Sequence, residues 1–294
     1  MVDTVKLLIE DLFIHDFYNL SKDIPMSISK LFNSDLHSDR LIVTALLVAV
    51  TIASWLFVLN GGGMGMPAHK MTSLDLAYGG GMRMPLEMAT WTVGYAVVIY
   101  FMWWIMMIAM MLPSASTTIL LFSRAHPKKT EIVRSYLPAI VFASGYLTAW
   151  AGFSVLATGA QWFLEDASLL NKMMATTSPI FGGGLILVAG LWQFTPWKYA
   201  CLRHCRSPLT FLMTRWRPGL TGAFIMGMDH GAFCLGCCWF LMALLFFGGI
   251  MNLWWIGGLA LYILAEKLMP AGHWLGYGLG ILLTIWGLAI IFFV

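Results

Sequence analysis

The chain has 294 residues, of which 60% are hydrophobic and 11% charged, with a formal net charge of +3. A soluble domain is typically about 45–50% apolar and about 25% charged, so this composition excludes an ordinary soluble globule. The small net charge gives no ground for a nucleic-acid partner. The expected fold class is all-α, a multi-pass transmembrane helical bundle with the lipid bilayer as its solvent.

Residues 1–40 read as a polar N-terminal segment ahead of a single transmembrane domain, 41–294. Val5, Ile9, Leu12, Phe13, Phe17 and Leu20 recur at spacings of three and four, which predicts an amphipathic helix over 4–20. Its other face carries Asp3, Glu10 and Asp16, which anionic lipid would repel. The helix therefore either lies on the membrane surface or docks on a partner, with other membrane protein subunits the expected partner class. No basic stretch precedes a short apolar core, so no cleaved signal peptide is expected.

Apolar runs follow at about 41–59, 91–112, 136–158, 179–195, 220–247, 251–266 and 273–294. A crossing helix needs about 20 such residues, so the expected number of spans is about seven, within six to eight; the fourth and sixth runs are short. Arg124, Lys128, Lys129 and Arg134 follow the second run, and Lys198, Arg203, Arg206, Arg215 and Arg217 follow the fourth. Loops rich in Lys and Arg stay cytoplasmic. Both assignments agree with an inner (cytoplasmic) membrane protein whose N-terminus is inside and whose loop 60–90 and C-terminus are outside.

That outer loop contains a repeat. Gly61-Gly62-Gly63-Met64-Gly65-Met66-Pro67 returns as Gly79-Gly80-Gly81-Met82-Arg83-Met84-Pro85, with His69, Met71 and Met88 nearby. Glycines allow tight backbone paths, and neutral thioethers select Cu(I) over hard cations. Met64, Met66, His69, Met82 and Met84 are candidate outer-loop ligands. Packing against the membrane surface explains the same methionines without a metal. In the second run, Met102, Met106 and Met110 are spaced by four, with Met107 and Met111 alongside, so this stripe is either helix packing or a thioether track. The run is expected to end at Pro113.

All five cysteines fall between residues 201 and 238, which argues against a disulfide framework. Cys201, His204 and Cys205 form a first cluster in a cytoplasmic loop, flanked by Arg203 and Arg206, whose charge disfavours a cation. The fifth run holds the strongest signal. His230, Cys234 and Cys237 stand at i, i+4 and i+7, within a narrow arc of one helix. Cys238 lies one further step beyond Cys234. Imidazole and thiolate are the ligands of zinc and copper sites, and polar groups at membrane depth mark function by default. Three ligands from one helix do not close a tetrahedral site, so a further donor or an open position is required. Asp229 is a candidate to orient His230; Met226 and Met242 are candidate relay positions, and Asn252 and Glu266 further candidates. Cysteines packed in an apolar core and a histidine bonded to a backbone carbonyl would give the same pattern with no metal bound.

Several stretches resemble a family of uncharacterised bacterial proteins described as predicted metal-binding integral membrane proteins. They are Met110 to Ala115, Gln193 to Lys198, Cys201-Leu202, Cys205 to Leu209, and His230 through Cys234, Cys237, Cys238 and Trp239 to Glu266-Lys267. The resemblance covers about residues 90–270. It implies a membrane fold and a bound metal in a bacterial or archaeal membrane, with no settled reaction.

The reading is a protein that binds a soft transition metal, copper before zinc, for capture or transfer. The alternative is an accessory subunit of a larger membrane complex, such as a copper-dependent enzyme. A haem or redox protein ranks last, because His15, His37, His126 and His273 are scattered. No phosphate-binding loop or nucleophile triad is present.

Overall fold

The computed structural model describes residues 26–72, 91–125, 136–171, 174–269 and 272–293, with side chains from Arg40 onward. The helix expected at 4–20, and Met82 and Met84 of the second repeat, lie outside these residues. Residues up to Ile42 form one unit, and Val43–Val294 form another, the helical bundle that holds the candidate site.

The described residues are helical, apart from turns and an isolated bridge between Leu170 and Thr176. The long helices are α1 (Met26–Leu59), α2 (Val93–Ala125), α3 (Leu137–Asp166), α7 (Gly219–Ala243) and α10 (Gly272–Phe293). Between them come α4 (Pro179–Trp192), α5 (Pro196–Arg206), α6 (Pro208–Thr214), the single turn α8 (Leu245–Gly248) and α9 (Leu253–Leu268). The all-α expectation holds.

Five stretches among the described residues are long and apolar enough to cross a membrane: Arg40–Leu59, Val93–Ala125, Leu137–Asp166, Gly219–Gly248 and Gly272–Phe293. The pair α4 and α5, bent by 65°, makes a sixth if taken together. The run expected at 251–266 became α9, which has 16 residues and ends in Glu266-Lys267-Leu268. The outward residues of α10, such as Leu282, Ile285 and Phe292, are apolar and exposed, compatible with insertion in a membrane.

Helix α2 does not stop before Pro113 as expected but continues to Ala125. Proline removes one backbone donor, and such breaks are tolerated where side chains and neighbouring helices satisfy the freed carbonyls. The carbonyl that Pro113 leaves without its helical donor is that of Ala109; close by, Ser114 and Ser116 donate to the carbonyls of Met111 and Pro113, and the Tyr146 hydroxyl donates to Met111 O at 3.2 Å. Ser114 and the Tyr146 hydroxyl are thus placed in the bundle interior.

Two glycine seams position the rest. Between α3 and α7, a Cβ on Gly145 would lie 2.1 Å from Phe224 O, and one on Gly227 2.0 Å from Phe142 O. Backbones in contact leave no room for any side chain there, the small-residue packing of membrane bundles. Between α4 and α10, Gly183 and Gly287 approach each other in the same way. The first seam fixes the rotation of α7 and so turns Cys234, Cys237 and Cys238 toward α2, α5 and α9.

Candidate metal centre

Cys234, Cys237 and Cys238 are all fully or almost fully buried on α7. The Sγ of Cys234 is 3.1 Å from the Tyr146 hydroxyl on α3 and accepts from Lys267 Nζ on α9 at 2.9 Å. Lys267 also donates to Ser114 Oγ on α2 at 3.1 Å. The thiols of Cys237 and Cys238 each donate to the carbonyl of Cys234 at 3.0 Å. Cys238 Sγ lies 3.8 Å from the thioether of Met111.

A fourth thiol arrives from another helix. Cys205 on α5 is buried beside Cys234 and Cys237. Cys201 stands one turn earlier, its Sγ against Gly236, where an added Cβ would be 2.7 Å away. The two cysteine groups that look separate in sequence thus meet in one place. No three His, Cys, Asp or Glu side chains among the described residues are arranged as a metal site, and Cys237 and Cys238 both donate to the Cys234 carbonyl. The donors are adjacent but turned to one another and to the backbone.

The remaining candidates fall elsewhere. His230 is buried one turn before Cys234, with ring centroids of Phe211, Tyr146 and Phe142 at 5.3, 5.8 and 6.1 Å, and its Nδ1 has no hydrogen-bond partner. Asp229 is ion-paired with Arg215 and Arg217 at 3.6 and 3.9 Å. His204 bonds Ala200 O through Nδ1 and stacks on Phe233 at 4.1 Å. The Sδ of Met226 accepts from Arg217 N at 3.2 Å, and Met242 is buried in the core. Asn252 caps α9, accepting from Trp254 N at 3.1 Å. Met64 and Met66 are half-buried and His69 is exposed.

Sequence reasoning missed Lys267, Ser114 and Tyr146 as site members. Lys267 had a signal, since a charge inside an apolar run marks a site, but Glu266 beside it drew that attention. Glu266 faces a different partner. It forms a fully buried ion pair with Lys198 on α5, which also donates to Gln193, while the Tyr262 hydroxyl donates to Glu266 at 3.2 Å.

Buried thiols beside a thioether, where several helices meet, are the donor chemistry of a soft-metal-binding helical bundle. Residues 100–290 match the model of the PpoB2 copper chaperone family, and the chain belongs to that family. Neither a curated protein nor a solved structure matches it. The metal implied by the sequence resemblance is therefore assigned to copper, and the function to copper handling.

Proposed function

We propose that the chain is a membrane-embedded copper chaperone that carries Cu(I) among the thiols of Cys205, Cys234, Cys237 and Cys238. The meeting of Cys205 with Cys234 and Cys237 across two helices carries the reading. It supplies the donor from outside α7 that three ligands of one helix lack. Turning the thiols of Cys237 and Cys238 away from the Cys234 carbonyl frees them for the ion. Met111 offers a thioether at the edge of the cluster, and His230 a further nitrogen one turn away.

Charge supports copper over zinc. Cu(I) on two thiolates carries a net charge of −1, which Lys267 brings to zero. Zn(II) on the same two thiolates is neutral before the lysine is counted and +1 after. Net charge in a dry interior is costly, so in a two-thiolate site Lys267 favours the monovalent ion. The basic residues between α5 and α7 support a cytoplasmic face at that end, with residues 60–72 at the outer end.

The test is anaerobic Cu(I) titration of the purified protein in nanodiscs against a competing chelator, with X-ray absorption to identify the donors. A tight Cu(I) with a sulfur-dominated shell, lost in Cys205→Ser/Cys234→Ser, is the expected result. Unchanged binding in that variant would overturn the reading.

A further inference from the structure

We propose a second copper site, made only of thioethers, in which Met71, Met102 and Met251 hold Cu(I) at the end of the bundle away from the cysteines. It rests on the assignment of the chain to copper and concerns a different place and a different donor class.

The site is built by a turn that only glycine can make. Gly61, Gly62 and Gly63 have φ of 90°, 59° and 86°, a region L side chains rarely adopt. A Cβ on Gly61 would collide with Met66 O at 1.7 Å, and Met71 Cε lies 3.4 Å from the same point. A Cβ on Gly62 would lie 2.9 Å from Met102 Cγ, 3.1 Å from Met251 Cε and 3.5 Å from Met251 Sδ. Three methionines from three segments thus converge on two adjacent glycines. The turn is pinned from both sides: Ala68 is fully buried, and Thr72 Oγ1 donates to Ala68 O and accepts from Leu253 N at 3.2 Å. Met102 and Met251 are buried while Met71 is half-buried, so the site has a dry floor and an accessible rim.

The chemistry is selective by itself. Thioethers are soft and neutral, and they discriminate against hard cations and against zinc. Capture needs neither a proton nor an electron, because Cu(I) arrives and stays as Cu(I) and the sulfurs carry no proton. Behind the site, α2 presents Met106, Met107, Met110 and Met111, all buried. Met102 and Met111 are nine residues apart, roughly 13 Å along the helix, and Met111 touches Cys238. The thioether site stands at one end of this ridge and the thiol cluster at the other. Neutral donors at the rim hold the ion less tightly than thiolates inside, which gives the sequence of affinities a carrier needs.

Cu(I) titration and sulfur X-ray absorption of the full chain in nanodiscs test the site. The parent is expected to bind two Cu(I), the weaker one with a thioether-only shell. Met102→Leu/Met251→Leu conserves volume, a change cores tolerate well, and is expected to remove that ion and leave the tight one. Met71→Leu, at the half-buried rim, is expected to weaken it at least tenfold and guards against misfolding of the double variant. Cys205→Ser/Cys234→Ser is expected to keep the weak ion and lose the tight one. If the methionine variants bind as the parent does, or the parent binds a single ion that vanishes only with the cysteines, the thioether site is wrong. A single ion lost only with the methionines would instead sink the thiol reading and leave this one standing.

Discussion

Glu266 and Lys267 are neighbours in sequence, yet they serve two buried centres of different kinds. Glu266 meets Lys198, so that each charge has an opposite charge at contact, with Gln193 and Tyr262 completing the set. Lys267 meets Ser114 and Cys234, which are neutral when the thiol is protonated. A buried ion pair is complete without a ligand. A buried lysine facing thiols is complete only when they carry negative charge, as they do when holding a metal. The first centre joins α5 to α9, and the second is the one to which the proposed reading gives the ion.

The sharpest way to break this contrast is to remove the thiols. Cys234→Ser/Cys237→Ser is expected to lower Cu(I) affinity by more than about 100-fold, because metal binding requires deprotonated soft donors, while thermal stability measured without copper changes little. Chelator competition and a melting curve separate the two. Next in size is Lys198→Met, which leaves Glu266 buried without its partner. A loss of about 3–5 kcal/mol of stability is expected, read by unfolding in detergent. Copper bound per folded molecule should stay near that of the parent; loss of copper with stability intact would reverse the roles assigned to the two centres.

Lys267→Met should act in the opposite sense. It is expected to weaken Cu(I) by about 10–100-fold, as removal of groups that support a metal ligand does, and to raise the share of zinc taken from an equimolar mixture. Elemental analysis after dialysis reads that share, and an unchanged copper-to-zinc ratio would remove the charge argument. The smallest effect is expected at Asp229. Its partners Arg215 and Arg217 are about half exposed, and such pairs contribute about 0–1 kcal/mol. Asp229→Asn should therefore leave copper affinity within about twofold of the parent.

The sequence announced the helical class plainly, because lipid demands long apolar runs whatever the packing. It announced α7 as the candidate site helix because His230, Cys234, Cys237 and Cys238 recur at helical spacing. It did not announce Cys205 as their neighbour. That contact depends on the bend between α4 and α5 and on the rotation of α7, which is set by Gly145 and Gly227 touching backbone on the opposing helix. Such pairings are long-range and leave no periodic trace in either segment. The continuation of α2 through Pro113 was hidden for a similar reason, since the surroundings of that turn include other elements, among them the Tyr146 hydroxyl of α3 on Met111 O.

The hydrogen bond from Lys267 to Ser114 joins residues 153 apart in sequence. Timing during biosynthesis follows from this. The cysteines of α7 emerge from the ribosome before α9 exists, so a growing chain presents thiols without the charge that completes their surroundings. The pocket closes only when α9 folds back against α2, after nearly the whole protein has been made. A copper site that includes Lys267 would therefore be complete only after α9 has formed, and a chain that stalls short of α9 would lack its positive charge.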